Sequence, residues 1–190
     1  KRQFQWGPVG VVTTVDSENK LVERFGKPND TTYASFFTAA NFLAYGNNLQ
    51  VIRVVNEGTA KNAKANSAAT AVLVKNEDHY DATYADGSAT VGEWAAKYPG
   101  ALGNSLKVSM ADGNTFSGWA YTSSFDSAPG TSDYASSAGA RYDELHVIVI
   151  DEDGLWTGTQ GTVLEKFSFV SKASDACLLY TSDAADDTPC

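Results

Sequence analysis

One short segment has residue types and spacing that could bind a ligand or catalyse a reaction. It consists of three consecutive acidic residues, Asp151, Glu152 and Asp153, followed by Gly154. It follows an apolar segment that we expect to be a buried strand, and ligands bind at the carboxyl ends of strands in α/β sheets. Such carboxylates could hold Mg²⁺ or Ca²⁺. However, no third ligand or glutamate follows at EF-hand spacing, and consecutive side chains of an extended chain point in opposite directions. We therefore interpret the run as a solvated acidic turn, with a metal site as the alternative.

The other candidate catalytic residues carry weaker signals. His79 lies in a polar turn, and His146 lies inside an expected strand, where a packed histidine is a better interpretation than a general base. Serine is plentiful, but no Gly-x-Ser-x-Gly elbow surrounds any serine. Gly154, Gly158 and Gly161 do not follow a phosphate-loop spacing, and there is no Gly-Lys-Ser/Thr motif. We predict no catalytic, cofactor-binding or metal-binding residue, no cofactor, and no enzyme activity.

Composition restricts the possible partners. The 190 residues include 23 acidic and 14 basic side chains, which give a formal net charge of −9. A nucleic-acid surface usually has the opposite sign, so we predict no nucleic-acid partner. Hydrophobic residues make up 43% of the chain, enough for a packed core. No apolar run approaches the about 18 residues of a membrane span, so we predict no membrane insertion.

The two ends of the sequence are unusual. Residues 177–186 match the translation of a common transposase-type sequencing adapter, so we predict that residues 177–190 are not native protein. Cys177 and Cys190 both lie there, and neither is expected to form a disulfide or bind a metal. The chain begins without Met, with Phe4 and Trp6 already alternating like a strand. We therefore expect a fragment that lacks both native termini.

Local patterns in the first 56 residues predict helices on a sheet. Ser17 can cap a helix that Gly26 and Pro28 end. A second helix is expected from about Thr31 to Gly46, capped by Asp30 or Thr31. Its apolar stripe has spacings of three and four residues and comprises Tyr33, Phe36, Phe37, Ala40, Leu43 and Ala44. Residues 49–55 form a β-branched run that predicts a mostly buried strand.

The remaining residues predict strands separated by long polar connections. Expected strands are residues 72–74, 106–110, 145–150 and a last one around Phe167 and Phe169, with two helical turns at residues 91–98. Residues 111–141 could hold short β-hairpins. We predict a mixed α/β fold: a partial sandwich core with helices packed on a mixed sheet, plus a β-rich protruding insertion. The expected parts are residues 1–56 (core), 57–141 (linker and outer portion) and 142–176 (return to the sheet).

Aromatic residues suggest a second possible function. The chain has four Trp, nine Tyr and nine Phe. Most of them lie at helix or strand periodicity, which favours core packing. Those between residues 116 and 134, including Trp119, are the least periodic, and an exposed set of this kind could bind carbohydrate.

Several segments, in order, resemble the sheath protein of contractile-tailed bacteriophages. They are FQWGPV at residues 4–9, FGKP at 25–28, FFTAANFLAY at 36–45, RVV at 53–55, KYPGALGNSL at 97–106, DELHV at 143–147 and the stretch 163–176. The resemblance covers most of residues 3–176. It is less recognisable at residues 56–96 and 111–140. These motifs are structural rather than catalytic, and their number and order make the match specific.

The resemblance implies a mechanical virion protein. Sheath subunits form a helical homo-oligomer around the tail tube protein, in contact with baseplate and tail terminator proteins, and are assembled in the host cytoplasm. Contraction drives the tube through the host envelope during genome delivery, with energy stored in two packings of one subunit. Extended terminal arms of neighbouring subunits add strands to a shared sheet. The family has no catalytic or ligand residues at the matching motifs.

Three alternatives remain open from the sequence. One is the sheath of a related contractile injection machine. Another is a phage-associated carbohydrate-binding module that uses the aromatic residues around Trp119. The third is a small α/β hydrolase or metal-dependent enzyme that uses Asp151, Asp153 and His146.

Overall fold

A computed structural model describes residues 4–65, 71–84 and 94–172. These residues form two compact units. The first unit contains the described residues up to Lys107 together with Asp151–Thr162, and the second contains Val108–Ile150 and the described residues from Val163 onward. The predicted boundaries at residues 56 and 141 remain a prediction.

The fold contains helices and two antiparallel sheets, so the predicted mixed α/β class is confirmed. The strands are β1 (Val12–Val15), β2 (Leu49–Ile52), β3 (Leu106–Asp112), β4 (Glu144–Asp151) and β5 (Thr162–Ser171). The helices are α1 (Glu18–Phe25), α2 (Tyr33–Leu43), α3 (Glu77–Thr83) and α4 (Asp133–Ser137). One sheet has the order β1-β2 and the other has the order β3-β4-β5.

Helix α1 begins and ends where its sequence signals predict. Ser17 is extended (φ −152°), and its Oγ accepts a hydrogen bond from the Lys20 amide at 3.4 Å. Gly26 ends the helix with φ 80°, a conformation that residues with a Cβ rarely adopt. Leu21 and Phe25 are the buried residues of this helix.

Helix α2 begins two residues later than predicted. Its N-cap position is Thr32 rather than Asp30 or Thr31. The cause is Asn29, whose Oδ1 accepts from the amides of Thr31 and Thr32, both at 3.0 Å, and so forms a turn before the helix. The helix ends at Leu43, and the amide of Gly46 still donates to the Phe42 carbonyl at 3.0 Å.

The β1-β2 sheet buries one face only. Val12 pairs with Ile52, and Val15 pairs with Leu49. The core beneath the covered face consists of Val15, Leu21, Phe25, Phe36 and Val51. The opposite face is open, because Ile52 is 57% exposed and Val54, just beyond the strand, is 82% exposed. The prediction of a mostly buried strand at residues 49–55 is therefore wrong for this face.

The chain between β2 and β3 is largely irregular, and two local predictions fail there. Residues 72–74 are not a strand, because the Asn62 side chain takes the place of a paired strand by bonding the amide and carbonyl of Val74. Residues 94–98 are not helical, since Ala95 forms an isolated antiparallel bridge with Lys64. Helix α3, capped by Asn76, was not predicted. Residues 91–93 lie outside the described residues.

The second unit is built on the strands β3, β4 and β5, which match the three predicted strands. The predicted hairpins of residues 111–141 are wrong. Beyond Asp112 this stretch forms 3₁₀ turns at Phe116–Gly118 and Thr122–Ser124, followed by α4. The predicted adapter segment, with Cys177 and Cys190, lies outside the described residues.

Candidate functional site

Asp151, the last residue of β4, is the centre of a buried hydrogen-bond network in the first unit. Its side chain is fully buried. Oδ1 accepts from the Ser105 hydroxyl at 2.5 Å. Oδ2 accepts from the amide of Trp156 at 3.0 Å, and from the amide and hydroxyl of Thr157 at 2.8 and 2.9 Å. The Asp151 carbonyl also accepts from the Gly161 amide at 2.8 Å. The carboxylate and the carbonyl of Asp151 thus together hold the loop from residue 151 to residue 161.

The electrostatics of this network favour an ionised structural carboxylate. Burial alone would raise the pKa of Asp151, but the bonds from Ser105, Thr157 and Trp156 outweigh it and lower the pKa to about 2. The predicted solvated turn is therefore correct for the exposed Glu152 and Asp153 and wrong for Asp151. Because protein donors occupy both oxygens of Asp151, this carboxylate is not available to a cation. The described residues contain no cluster of three or more metal-ligating side chains.

An aromatic cluster lies beside the same loop within the first unit. The Trp6 ring contacts Tyr98 at 5.6 Å and Trp156 at 5.2 Å between centroids, both edge to face. Trp156 Nε1 donates to the Leu102 carbonyl at 3.1 Å. A Cβ on Gly103 would stand 3.1 Å from the Trp6 ring, so the chain approaches this ring closely at a glycine. Three segments distant in sequence are thereby held together.

His146 is a packed residue of the second unit, as predicted. It is fully buried, and its ring stacks on Phe125 at 4.3 Å with an interplanar angle of 5°. Nδ1 accepts from the Phe169 amide at 3.1 Å, which leaves Nε2 as the donor to the Ser127 carbonyl at 2.9 Å. Both nitrogens are occupied by backbone groups, so the ring has no free nitrogen for base catalysis. Asp151 and Asp153 belong to the first unit, and His146 belongs to the second.

Trp119 also has a packing role in the second unit. Its ring lies 5.4 Å from Phe125 and 5.5 Å from Tyr121, and its Nε1 donates to the Ser109 hydroxyl at 2.8 Å. Rings that pack on one another and on His146 do not form a flat exposed platform. This arrangement favours the core interpretation over a carbohydrate-binding surface. His79 likewise makes a local contact, with the Tyr84 ring at 5.8 Å.

A groove lies along β2, next to α2, and was not predicted from the sequence. The groove has a volume of about 390 Å³. Its lining combines apolar and polar side chains of α2 and β2 with Phe4, and includes Phe42, Leu49, Ile52, Arg53 and Val54. Strand β2 pairs with β1 alone among the described strands, so none of the described strands covers its other edge. The signal in the sequence was the apolar pattern on both faces of residues 49–55.

Arg53, directly after β2, is buried next to this groove. Its Nε donates to the Phe4 carbonyl at 3.2 Å, and its Nη1 donates to the Gly7 carbonyl at 3.0 Å. These bonds hold the segment before β1 against β2. Gly7 permits this close packing, since φ is 108° and a Cβ would stand 2.6 Å from the Arg24 carbonyl oxygen. Burial lowers the pKa of Arg53 to about 10.

No helix within the described ranges is long and apolar enough to cross a membrane. The interactions above hold the fold together, and the candidate functional features that remain among the described residues are surfaces suited to binding a polypeptide. The principal candidate is the groove along β2.

Comparison with known proteins identifies related sequences. Residues 2–54 match the family model described as the N-terminal region of domain III of the tail sheath protein Gp18. These residues include β1, α1, α2, β2 and Arg53. The match therefore covers the elements that form the groove.

Three curated relatives are similar to this chain. The tail sheath protein of Salmonella phage ViI is 35% identical over 162 residues, which is 85% of this chain and 23% of that protein. The tail sheath proteins of Vibrio phage KVP40 and Enterobacteria phage T4 are 54% and 48% identical over 61 residues, each covering 32% of this chain and 9% of the relative. The chain thus spans less than a quarter of the length of these relatives.

Proposed function

Since this chain belongs to the tail sheath proteins of contractile-tailed bacteriophages, we propose that it forms part of the structural subunit that polymerises around the tail tube. The similarity to the ViI sheath protein over 85% of the chain carries this proposal. Sheath proteins are components of the phage virion, and the sheath relatives imply self-assembly of subunits in the tail. In this function the fold of the chain holds in place the surfaces that contact other polypeptides.

The mechanical step is contraction of the assembled sheath. Subunits packed in an extended arrangement shift to a shorter and wider one, and the tube is driven through the host envelope during genome delivery. The driving energy is the difference between two packings of the same subunit. The sequence is compatible with such a step, because it contains no nucleotide-binding Gly-Lys-Ser/Thr motif.

The groove along β2 is the surface that we assign to the contact between subunits. An unpaired strand edge binds an extended peptide through main-chain hydrogen bonds, and adjacent apolar side chains give the contact specificity. Ile52 and Val54 supply such side chains beside the edge. The occupant is an extended segment of a neighbouring sheath polypeptide.

The remaining partners follow from the same function. The inner side of a sheath contacts the tail tube protein, and its two ends contact baseplate and tail terminator proteins. Assembly takes place in the host cytoplasm before release of the virion. The relatives are structural proteins, and we propose that this chain likewise catalyses no reaction.

A substitution in the groove tests the proposal in the phage that encodes this sequence. Val54→Lys places a charge in the groove, and because Val54 is 82% exposed the change leaves the fold intact. We expect virions with bare tubes and loss of infectivity. The matched control is Asn19→Lys on the exposed side of α1, which should leave sheathed tails. Normal sheaths in the Val54→Lys phage would contradict the role of the groove.

A further inference from the structure

A second, polar cavity lies in the first unit on another side of Arg53. Its volume is about 300 Å³. The side chains that matter for its chemistry are Arg53, Thr59, Lys61 and Asn104, with Gly100 at the wall. Two of these residues are cationic, and none of the described lining residues is acidic. This is a local positive site in a chain whose net charge is −9.

Arg53 carries a buried charge that its neighbours do not neutralise. The residue is only 7% exposed. Its two hydrogen bonds go to the neutral carbonyls of Phe4 and Gly7. None of the described salt bridges includes Arg53. Buried charges in proteins are usually paired, because removing a charge from water is costly.

The unused end of the guanidinium is directed at the cavity. Arg53 Nη2 lies 3.3 Å from the point where a Cβ on Gly100 would stand, and Gly100 lines the cavity. That position must stay free of a side chain, since φ of Gly100 is 148° and a Cβ would stand 2.1 Å from the Gln5 carbonyl oxygen. Glycine at position 100 thus lets the backbones of Gly100 and Gln5 pack closely at the wall of the cavity, beside the guanidinium.

Two other polar side chains of the lining are also available. Lys61 and Asn104 are exposed, and Lys61 takes part in none of the described salt bridges. The Thr59 hydroxyl donates to the Asn56 carbonyl at 3.4 Å. A planar guanidinium binds a carboxylate with good geometry, and an ammonium nearby strengthens the attraction. The chemistry of the lining thus fits one carboxylate.

We propose that this cavity binds an aspartate or glutamate side chain from a second copy of the sheath polypeptide. The identity of the donor rests on the proposed function, because subunits that self-assemble meet at high local concentration. A chain with 23 acidic residues supplies many such side chains. The ion pair forms in the assembled state and gives Arg53 a charged partner that the described residues do not provide.

Acetate titration of the 190-residue chain at constant ionic strength tests the cavity itself. The readout is the NMR signal of the Arg53 Nε–H group. We expect saturable binding, weakened about tenfold by Lys61→Gln through loss of one charge-assisted contact. The matched control is Lys20→Gln, which removes an exposed lysine of α1 and should leave acetate affinity unchanged. Absence of saturation in the wild-type chain would overturn the proposal.

A built-in carboxylate provides a second test. Asn104→Asp adds a fixed negative charge to the lining, so we expect acetate binding to fall at least tenfold and the Arg53 signal to shift without ligand. Asn19→Asp, on α1, is the control for added charge and should bind acetate like the wild-type chain. Unchanged acetate affinity in Asn104→Asp would overturn the assignment. So would inorganic phosphate binding far more tightly than acetate, because the cavity would then be a phosphate site.

Peptides identify the source of the carboxylate. Blocked peptides spanning the exposed acidic segments of this chain, such as residues 16–20 and 152–155, are titrated in the same way. We expect one of them to bind at least about tenfold more tightly than acetate, and its Asp→Asn or Glu→Gln version to lose this gain. If no peptide exceeds acetate, the second-copy donor is wrong. Failure of the sheath function in the phage would leave acetate binding intact, so the two failures are distinguishable.

Discussion

The Ser105 hydroxyl donates to Asp151 Oδ1 across 2.5 Å, and both side chains are fully buried. Ser105 Oγ in turn accepts from the amides of Asp153 and Leu155 at 3.1 and 3.3 Å. The pair links the segment before β3 to the loop after β4, 46 residues apart. These two segments of the first unit are thus joined by a buried polar contact, where apolar side chains make such contacts elsewhere in the core.

Removing the carboxylate charge of this pair should destabilise the first unit. Asp151→Asn puts an amide NH₂ against donors that need an acceptor, so we expect a loss of about 3 kcal/mol in the free energy of unfolding. Chemical denaturation monitored by tryptophan fluorescence gives the value. Glu152→Gln, which weakens an exposed pair with Lys107, should cost under about 1 kcal/mol. Equal losses in the two variants would contradict the account.

Acid should weaken the second unit through Asp143. Hydrogen bonds from the Ser171 hydroxyl and from the amide and hydroxyl of Ser132 lower the pKa of Asp143 to about 2. The ordinary pKa of an unfolded aspartate is about 3.9. The folded-state pKa lies below the unfolded one, so this stabilisation is present above about pH 4 and is lost as the pH falls towards 2.

The Asp143→Asn variant measures this effect. Its unfolding free energy should be lower than that of the wild-type chain at pH 5 and should depend less on pH below about 4. The Trp119 indole NMR signal reports on this unit. Asp126→Asn, which changes an exposed side chain, serves as the control. Parallel pH profiles for Asp143→Asn and the wild-type chain would show that the hydrogen bonds to Asp143 do not stabilise the fold.

The His146 ring should be found in one tautomer. The Phe169 amide donates to Nδ1, so the ring proton must be on Nε2, where it bonds the Ser127 carbonyl. Phe169 has φ 56°, an uncommon value for a residue with a large side chain, and the bond to His146 holds it there. Long-range ¹⁵N–¹H correlation spectra should show the Nε2–H form. A proton on Nδ1 would be incompatible with this geometry.

Trp119 should contribute to stability rather than to glycan binding. Trp119→Phe keeps an aromatic ring next to Phe125 but loses the bond to Ser109, so we expect a cost of about 1 kcal/mol. Trp119→Ala should cost about 3 kcal/mol. Thermal unfolding measures both values. Glycan-array binding that disappears in Trp119→Ala at unchanged stability would instead support the carbohydrate-binding alternative.

Local signals in the sequence predicted local structure well. The start of α1 at Ser17 and its end at Gly26 depend on side-chain and backbone preferences within a few residues. Strand β4 was predictable because its apolar run is continuous. In each case the determinants lie inside the element or directly next to it.

Features that depend on distant partners were not predictable. The burial of Asp151 requires Ser105, and the non-helical form of residues 94–98 depends on pairing of Ala95 with Lys64. Nothing near Arg53 in the sequence indicates that its guanidinium reaches the carbonyls of Phe4 and Gly7. The groove was visible only as an apolar pattern on both faces of β2, which was interpreted as burial on both sides.

Immunoelectron microscopy of the phage that encodes this sequence tests the central claim most directly. Antibodies raised against the chain are applied to virions with extended and with contracted tails. The sheath account predicts gold label repeated along the outside of the tail in both states, following the sheath as it shortens. Label confined to the tail tip, the fibres or the capsid would contradict it.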